Sequence, residues 1–220
     1  SGEVISIEES RTAMGSTDTF VVIASDGRQE PWEGLQIPHC ETKDDFIKAV
    51  RDSGLVGLGG ASFPTHVKFN PANLDECDTL IVNGAECEPF ITSDHRNMLE
   101  HTDDIISGIR LTMKYLGLSK CYVGIENNKP DAIEKIRNGL KEIKGAEVVE
   151  LRSTYPQGAE RVLIHETAGK TLKAGQLPAS AGCILSNVTT IMFVGQYFRT
   201  GMPLIQRTVT VAGDAVANPS

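Results

Sequence analysis

The chain has 220 residues, 40% hydrophobic and 23% charged, the profile of a soluble globular protein able to bury a sizeable core. Its 21 basic against 29 acidic residues leave a formal net charge of −8, which argues against the basic face that a nucleic-acid groove requires. No apolar run approaches the ~20 residues of a membrane-spanning helix, and SGEVISIEES lacks the charged start and apolar centre of a secretory signal.

The first 36 residues read as β structure. EVISIEE alternates Val4, Ile5 and Ile7, and DTFVVIASDG carries a β-branched run into an Asp26-Gly27 turn. The abrupt opening suggests an upstream strand partner and a chain cut from a longer protein. From Cys40 the pattern becomes helical. Thr42 and Asp45 have capping-box spacing, Phe46 and Val50 share a face, and Gly54 suits a helix stop. DTLIVNGAE reads as a buried strand (78–86). SDHRNMLEHTDDIISGIRLTMKYLG follows with helical spacing and a break near His101. KCYVGIENN and AEVVELR read as strands on either side of a helix that begins near Pro130. QGAERVLIHETAG is a further helix, GCILSNVTTIMFVGQYFRTG runs from strand or turn into helix, and IQRTVTVAG (205–213) reads as strand. Strands alternating with helices predict an α/β fold, a parallel sheet flanked by helices on both faces, with ligands at the carboxyl ends of its strands. Five scattered cysteines with no CxxC read as thiols of a reduced intracellular protein. They lack the close thiolate spacing of an iron–sulfur centre.

The densest signal is GLVGLGGASFPTH (54–66), with four glycines in its first seven residues. It is neither a dinucleotide fingerprint nor a Walker loop. Ser62 stands where the third glycine belongs, the stretch follows a helix rather than a strand, and no G-K-[S/T] ends it. The glycines can still bare the main chain to a flat ring or an anion, with Lys68 in reach as a point charge. The rival reading is a surface loop beside a solvated lysine. In NGAECEP (83–89), Glu86 and Glu88 would point the same way on an extended chain and accept hydrogen bonds from hydroxyls or a ring N–H. His66, Cys87, Asp94 and His95 match no common metal template. Glu160 would open a helix after Pro156 and Gly158, and Ser186 or Asn187 would cap another or touch a ligand.

In this order, GLVGLGGASFPTHVKF, NGAECEPF, YPQGAERVLI and LSNV resemble the FMN-binding domain of two protein groups. One is the flavin subunit of respiratory NADH dehydrogenase, with relatives in NAD-linked hydrogenases and formate dehydrogenases. The other is the RnfC family of the Rnf electron-transport complex, with cousins in cobalamin and proline reduction. DTLIVNGAECEPFITSDHRNMLE is nearer to the RnfC group. The resemblance implies three segments: a partial lipoyl-like β sandwich (1–36), an FMN/NADH-binding α/β domain (37–203) and the start of a ubiquitin-like β-grasp module (204–220). It implies binding of FMN and NAD(H), and two 4Fe-4S clusters in the parent protein beyond this fragment. It also implies a peripheral place on the cytoplasmic face of the membrane, among the other subunits of an electron-transport complex and indirectly linked to ferredoxin.

Residue by residue, the resemblance implies that Gly57, Gly59 and Gly60 floor the flavin ring and nicotinamide, while Lys68 contacts the FMN phosphate region. Asn83 and Glu86 would bond the ribityl chain or ring edge, and Glu88 would face the NADH ribose. Tyr155, Gly158 and Glu160 would line the cleft, Glu160 near the nicotinamide, with Asn187 at the phosphate end. No side-chain nucleophile or general base is implied. The chain departs from the respiratory pattern at Ala85, Ala159 and Ser186, each a lost polar partner worth about 1 kcal/mol. Those losses imply weaker flavin retention and leave two alternatives: a flavin-free scaffold, or an electron donor to a cobalamin or proline reductase.

Overall fold

The computed structural model describes residues 1–12 and 15–216, which divide into two compact units, Ser1–Gln36 and Ile37–Ser220. In the first unit, β1 (Gly2–Arg11) and β2 (Thr17–Ser25) form an antiparallel hairpin with an irregularity between Val4 and Ser6. Two strands cannot bury their own apolar side chains, and Val4, Ile5, Ile7, Val21 and Ile23 are all exposed.

The second unit begins with α1 (Lys43–Asp52), whose start is the expected capping box: Asp45 N donates to Thr42 Oγ1, and the Asp45 carboxylate accepts from Thr42 N. Phe46 and Val50 are buried, and Gly54 leaves the helix at φ +71°. The glycine loop follows, then the one-turn α2 (Thr65–Lys68) and β3 (Thr79–Gly84). The expected break falls at His101, between α3 (Ser93–Glu100) and α4 (Thr102–Leu116). Next come β4 (Lys120–Glu126), α5 (Pro130–Leu140), β5 (Ala146–Leu151), α6 (Glu160–Ala168), β6 (Cys183–Asn187) and α7 (Val188–Thr200).

The four strands β3 to β6 form a parallel sheet in the order β5-β4-β3-β6. Strand alternation sorts the core. Leu80 and Val82 point into the larger cluster with α1, α4, α5 and α7, while Ile81 faces a smaller cluster with Leu163 and Ile164 of α6. Helices thus cover both faces. The chain steps outward from β3 to β4 to β5 and then returns to place β6 on the opposite side of β3. That reversal is where open α/β sheets form ligand crevices.

Two helix glycines set the spacing of α4 and α7. A Cβ on Gly108 would fall 2.0 Å from Ile191 O, and one on Gly195 would fall 2.0 Å from Asp104 O. Arg199 staples the same pair, donating from Nε to Asp104 Oδ1 at 2.9 Å and from Nη2 to Oδ2 at 3.0 Å. No described helix is long and apolar enough to cross a membrane.

The strand expected over 205–213 is absent: no described residue there pairs in a ladder. A strand needs a partner, and here the threonine hydroxyls are spent on α3 instead. Thr208 Oγ1 donates to Asn97 Oδ1, and Thr92 N donates to Thr210 Oγ1. Residues 217–220 of the expected β-grasp segment lie outside the described residues.

Candidate functional site

The glycine loop is pinched at its base. Val56 and Pro64 form an antiparallel bridge, and Gly57 N donates to Phe63 O at 2.8 Å. Between them Gly60 takes φ +121°, a backbone state that side chains resist. Leu58 N donates to Thr190 Oγ1 on α7, which fixes the loop against the β6–α7 junction.

That junction meets the end of β3 directly, because Asn83 and Asn187 are register partners. Asn187 caps α7, its Oδ1 accepting from Thr189 N and Thr190 N, while its Nδ2 donates to Asp94 Oδ2 at 2.7 Å. Asn83 bridges to the 155–158 turn by donating from Nδ2 to Gly158 O at 3.0 Å. A Cβ on Gly59 would stand 3.1 Å from the Asn187 Cβ, and one on Gly158 would stand 2.8 Å from Ala85 O. Both glycines therefore sit flush with their neighbours.

Two adjoining clefts result. The larger, about 700 Å³, is lined by Gly59, Gly60, Asn83 and Glu86, and also by Glu88, Tyr155, Gly158 and Asn187. The smaller, about 280 Å³, shares Gly59, Asn83, Gly158 and Asn187 and adds Gly57, Lys68 and Glu160. All eleven residues singled out in the sequence thus border these clefts. A third, mostly apolar groove of about 580 Å³ continues past Lys68 and Glu160, along Phe63, Val67 and Leu177.

Several side chains sit differently from the sequence expectation. The chain leaves the extended state at Gly84, so Glu86 and Glu88 do not share an environment. Glu86 is buried and closes the N-terminus of α3, accepting from Asp94 N at 2.8 Å, His95 N at 3.2 Å and Ser93 Oγ at 3.3 Å. Glu88 is exposed. Lys68, expected by the phosphate, donates to Glu160, expected by the nicotinamide, at 3.1 Å. Both partners are partly exposed, so the contact is worth at most about 1 kcal/mol and opens readily to a ligand.

The sequence reading missed Asp94 as a member of the cleft wall. Its carboxyl is pushed above the usual carboxylate range by burial, pulled back by hydrogen bonds from Thr189 Oγ1 and Asn187 Nδ2, and pushed up again by Glu86 and Glu88. Its place in the first turn of the helix after NGAECEP was the available signal. Arg207 was missed too, since its segment carries the composition of a strand. Among the described residues, no three His, Cys, Asp or Glu side chains converge as metal ligands.

Residues 50–196 match the model of a protein family described as the Nuo51 FMN-binding domain. Among curated proteins, the chain is 39% identical over 222 residues to the C subunit of the proton-translocating ferredoxin:NAD(+) oxidoreductase complex of Clostridium ljungdahlii. It is 40% identical over 225 residues to the C subunit of the Na(+)-translocating ferredoxin:NAD(+) oxidoreductase complex of Acetobacterium woodii. The C subunit of the ion-translocating oxidoreductase complex of Yersinia enterocolitica is 34% identical over 229 residues. Each match takes in 100% of this chain but only 48%, 50% and 32% of the respective relative. Among solved structures, an NAD+-reducing [NiFe]-hydrogenase in the air-oxidized state superposes with TM-score 0.59 at 24% identity, over 71% of this chain and 30% of that one. That is a likeness of fold.

Proposed function

This chain belongs to the Nuo51 FMN-binding domain family, and we propose that its paired clefts bind FMN and NAD(H) for a subunit of an ion-translocating electron-transport complex. One observation carries the reading. Four segments distant in sequence meet at the strand-order reversal and border a crevice walled by glycine backbone. The residues present fit such a ligand. The larger cleft has the volume of an ordinary cofactor site. The hydroxyl of buried Thr65, beside the smaller cleft, has no partner among the described residues.

Gly57, Gly59 and Gly60 would lie against the flavin ring, with Asn83 and the Glu86 loop along its edge. Asn187 would approach the tail of the flavin while capping α7. Lys68 and Glu160 would open from one another to meet the flavin and nicotinamide, with Glu88 and Tyr155 at the mouth. A dinucleotide needs a longer bed than a flavin, and the apolar groove beside Phe63 extends from the same ion pair. Bound FMN would supply exchange between two-electron NAD(H) chemistry and one-electron 4Fe-4S clusters in the parent protein. This chain's residues place the rings and exclude water. Ferredoxin would act indirectly through the other subunits, and the domain would sit peripherally on the cytoplasmic face. In this reading the hairpin of residues 1–36 is the closing part of a lipoyl-like sandwich, and 204–220 open a β-grasp module.

Titration with FMN, followed by anaerobic addition of NADH, tests the proposal. Flavin binding and bleaching of its visible band are the expected results. A second reading, the flavin-free scaffold, draws on the polar groups of Glu86, Asn83, Asn187 and Lys68, which are already satisfied by protein partners. A folded, colourless chain that FMN cannot reconstitute would favour it. In the flavin-binding chain, Glu160→Gln should slow NADH-driven bleaching roughly tenfold while leaving FMN affinity within about twofold. The reverse pattern would move Glu160 away from the nicotinamide.

A further inference from the structure

The segment after α7 crosses the larger cleft, and Arg207, Thr208, Val209 and Thr210 form one of its walls. Among the described residues that line this cleft, Arg207 is the one cation. Its Nη2 donates to Leu58 O at 3.1 Å, which tethers the guanidinium at the entrance of the glycine loop. No carboxylate lies within ion-pair distance of it among the described residues.

Lys68, the cation that lines the smaller cleft, is paired with Glu160 on the far side of the shared wall, and Lys129, beneath the Glu86 loop, is paired with Glu126. The larger cleft also carries the carboxylates of Glu86, Glu88 and Asp94. A dianionic phosphate would be repelled there unless a positive group met it. A guanidinium suits the task, offering planar paired donors with most of its N–H groups still free.

We propose that Arg207 forms the phosphate-binding end of the flavin site. The assignment rests on the flavin reading above. It places the phosphomonoester beside the strap that follows α7, and it leaves the Lys68–Glu160 pair to the flavin ring and the nicotinamide.

Riboflavin is FMN without the phosphate, so it separates charge recognition from the shape of the cleft. Affinities of the chain for FMN and riboflavin are compared in the wild type, Arg207→Gln, Arg207→Lys and Lys68→Met. Arg207→Gln should weaken FMN binding about tenfold or more while leaving riboflavin within about twofold, and Arg207→Lys should recover part of the loss. The salt dependence of FMN affinity should flatten in Arg207→Gln. Lys68→Met should weaken FMN and riboflavin alike. Unchanged FMN affinity in Arg207→Gln would overturn the proposal. So would an equal loss of both flavins in that variant, which would make the arginine a structural strap, or a loss confined to FMN in Lys68→Met alone. A folded wild-type chain that binds neither flavin would overturn the flavin reading itself, and this assignment with it.

Discussion

Replacing Lys129 with methionine should destabilise the second unit by about 3–5 kcal/mol, measured as the denaturant midpoint at constant slope. Lys129 begins the turn into α5, and its side chain is only 8% exposed. Its Nζ donates to Glu126 Oε2 at 2.8 Å, Asn128 Oδ1 at 3.2 Å and Glu86 O at 3.4 Å. The Glu126 side chain is 2% exposed at the end of β4. Removing the ammonium strands a carboxylate in the interior, which costs far more than the pair contributes when intact. The double variant Glu126→Leu/Lys129→Met should therefore recover most of the loss. A single-variant loss below about 1 kcal/mol would mean that water reaches the pair. The contact with Glu86 O adds a functional consequence. Lys129 anchors the turn that carries Glu86, Cys87 and Glu88, so flavin affinity should fall in this variant even where it remains folded.

The second large effect is expected at Gly195. Alanine there gains about 1 kcal/mol in helix propensity, yet its Cβ would stand 2.0 Å from a backbone oxygen of α4. Only separation of the helices relieves that contact, so Gly195→Ala should lose about 3 kcal/mol net, at the upper end of overpacking. Gly108→Ala should behave alike, because the obstacle is again backbone, Ile191 O. Gly139→Ala is the contrast. Its new Cβ would meet side chains rather than backbone, Ile106 Cγ1 at 2.6 Å and Thr102 Cγ2 at 3.8 Å, and these can shift, so its change should stay within about 1 kcal/mol. Equal losses at all three positions would show that close helix approach is not the cause. Because α7 carries Asn187 at its start and Thr190 against Leu58, a shift of α7 also disturbs the cleft.

Elements set by short-range chemistry were legible in the chain. The capping box at Thr42 and Asp45, the break at His101, the buried strand at 79–84 and the strands at 120–126 and 146–151 follow from local spacing and composition. The cleft was legible mainly as four motifs. Their resemblance to a family, rather than any spacing, said that they belong together. The pairing of Lys68 with Glu160, 92 residues apart, has no local trace. ENNK, read as a strand end running into a helix, buries an ion pair, because β4 ends under the loop that leaves β3. The strand expected at 205–213 failed for a related reason. β-branched residues favour a ladder only where a free edge is at hand, and here the segment's threonine hydroxyls bond the Asn97 side chain of α3 and the main-chain N–H of Thr92 just before it.

The pairing of β3 with β6 has a consequence for biosynthesis. The two strands are about a hundred residues apart, yet Leu80 and Val82 lie deep in the core and Asn83 meets Asn187 across their boundary. Until the residues of β6 have left the ribosome, β3 has β4 on one flank and bare backbone on the other. Such a nascent sheet would present a sticky, apolar edge to other chains. Its crevice would also lack Asn187 and Arg207, so newly made protein would complete that cleft wall only once β6 and the segment after α7 are in place.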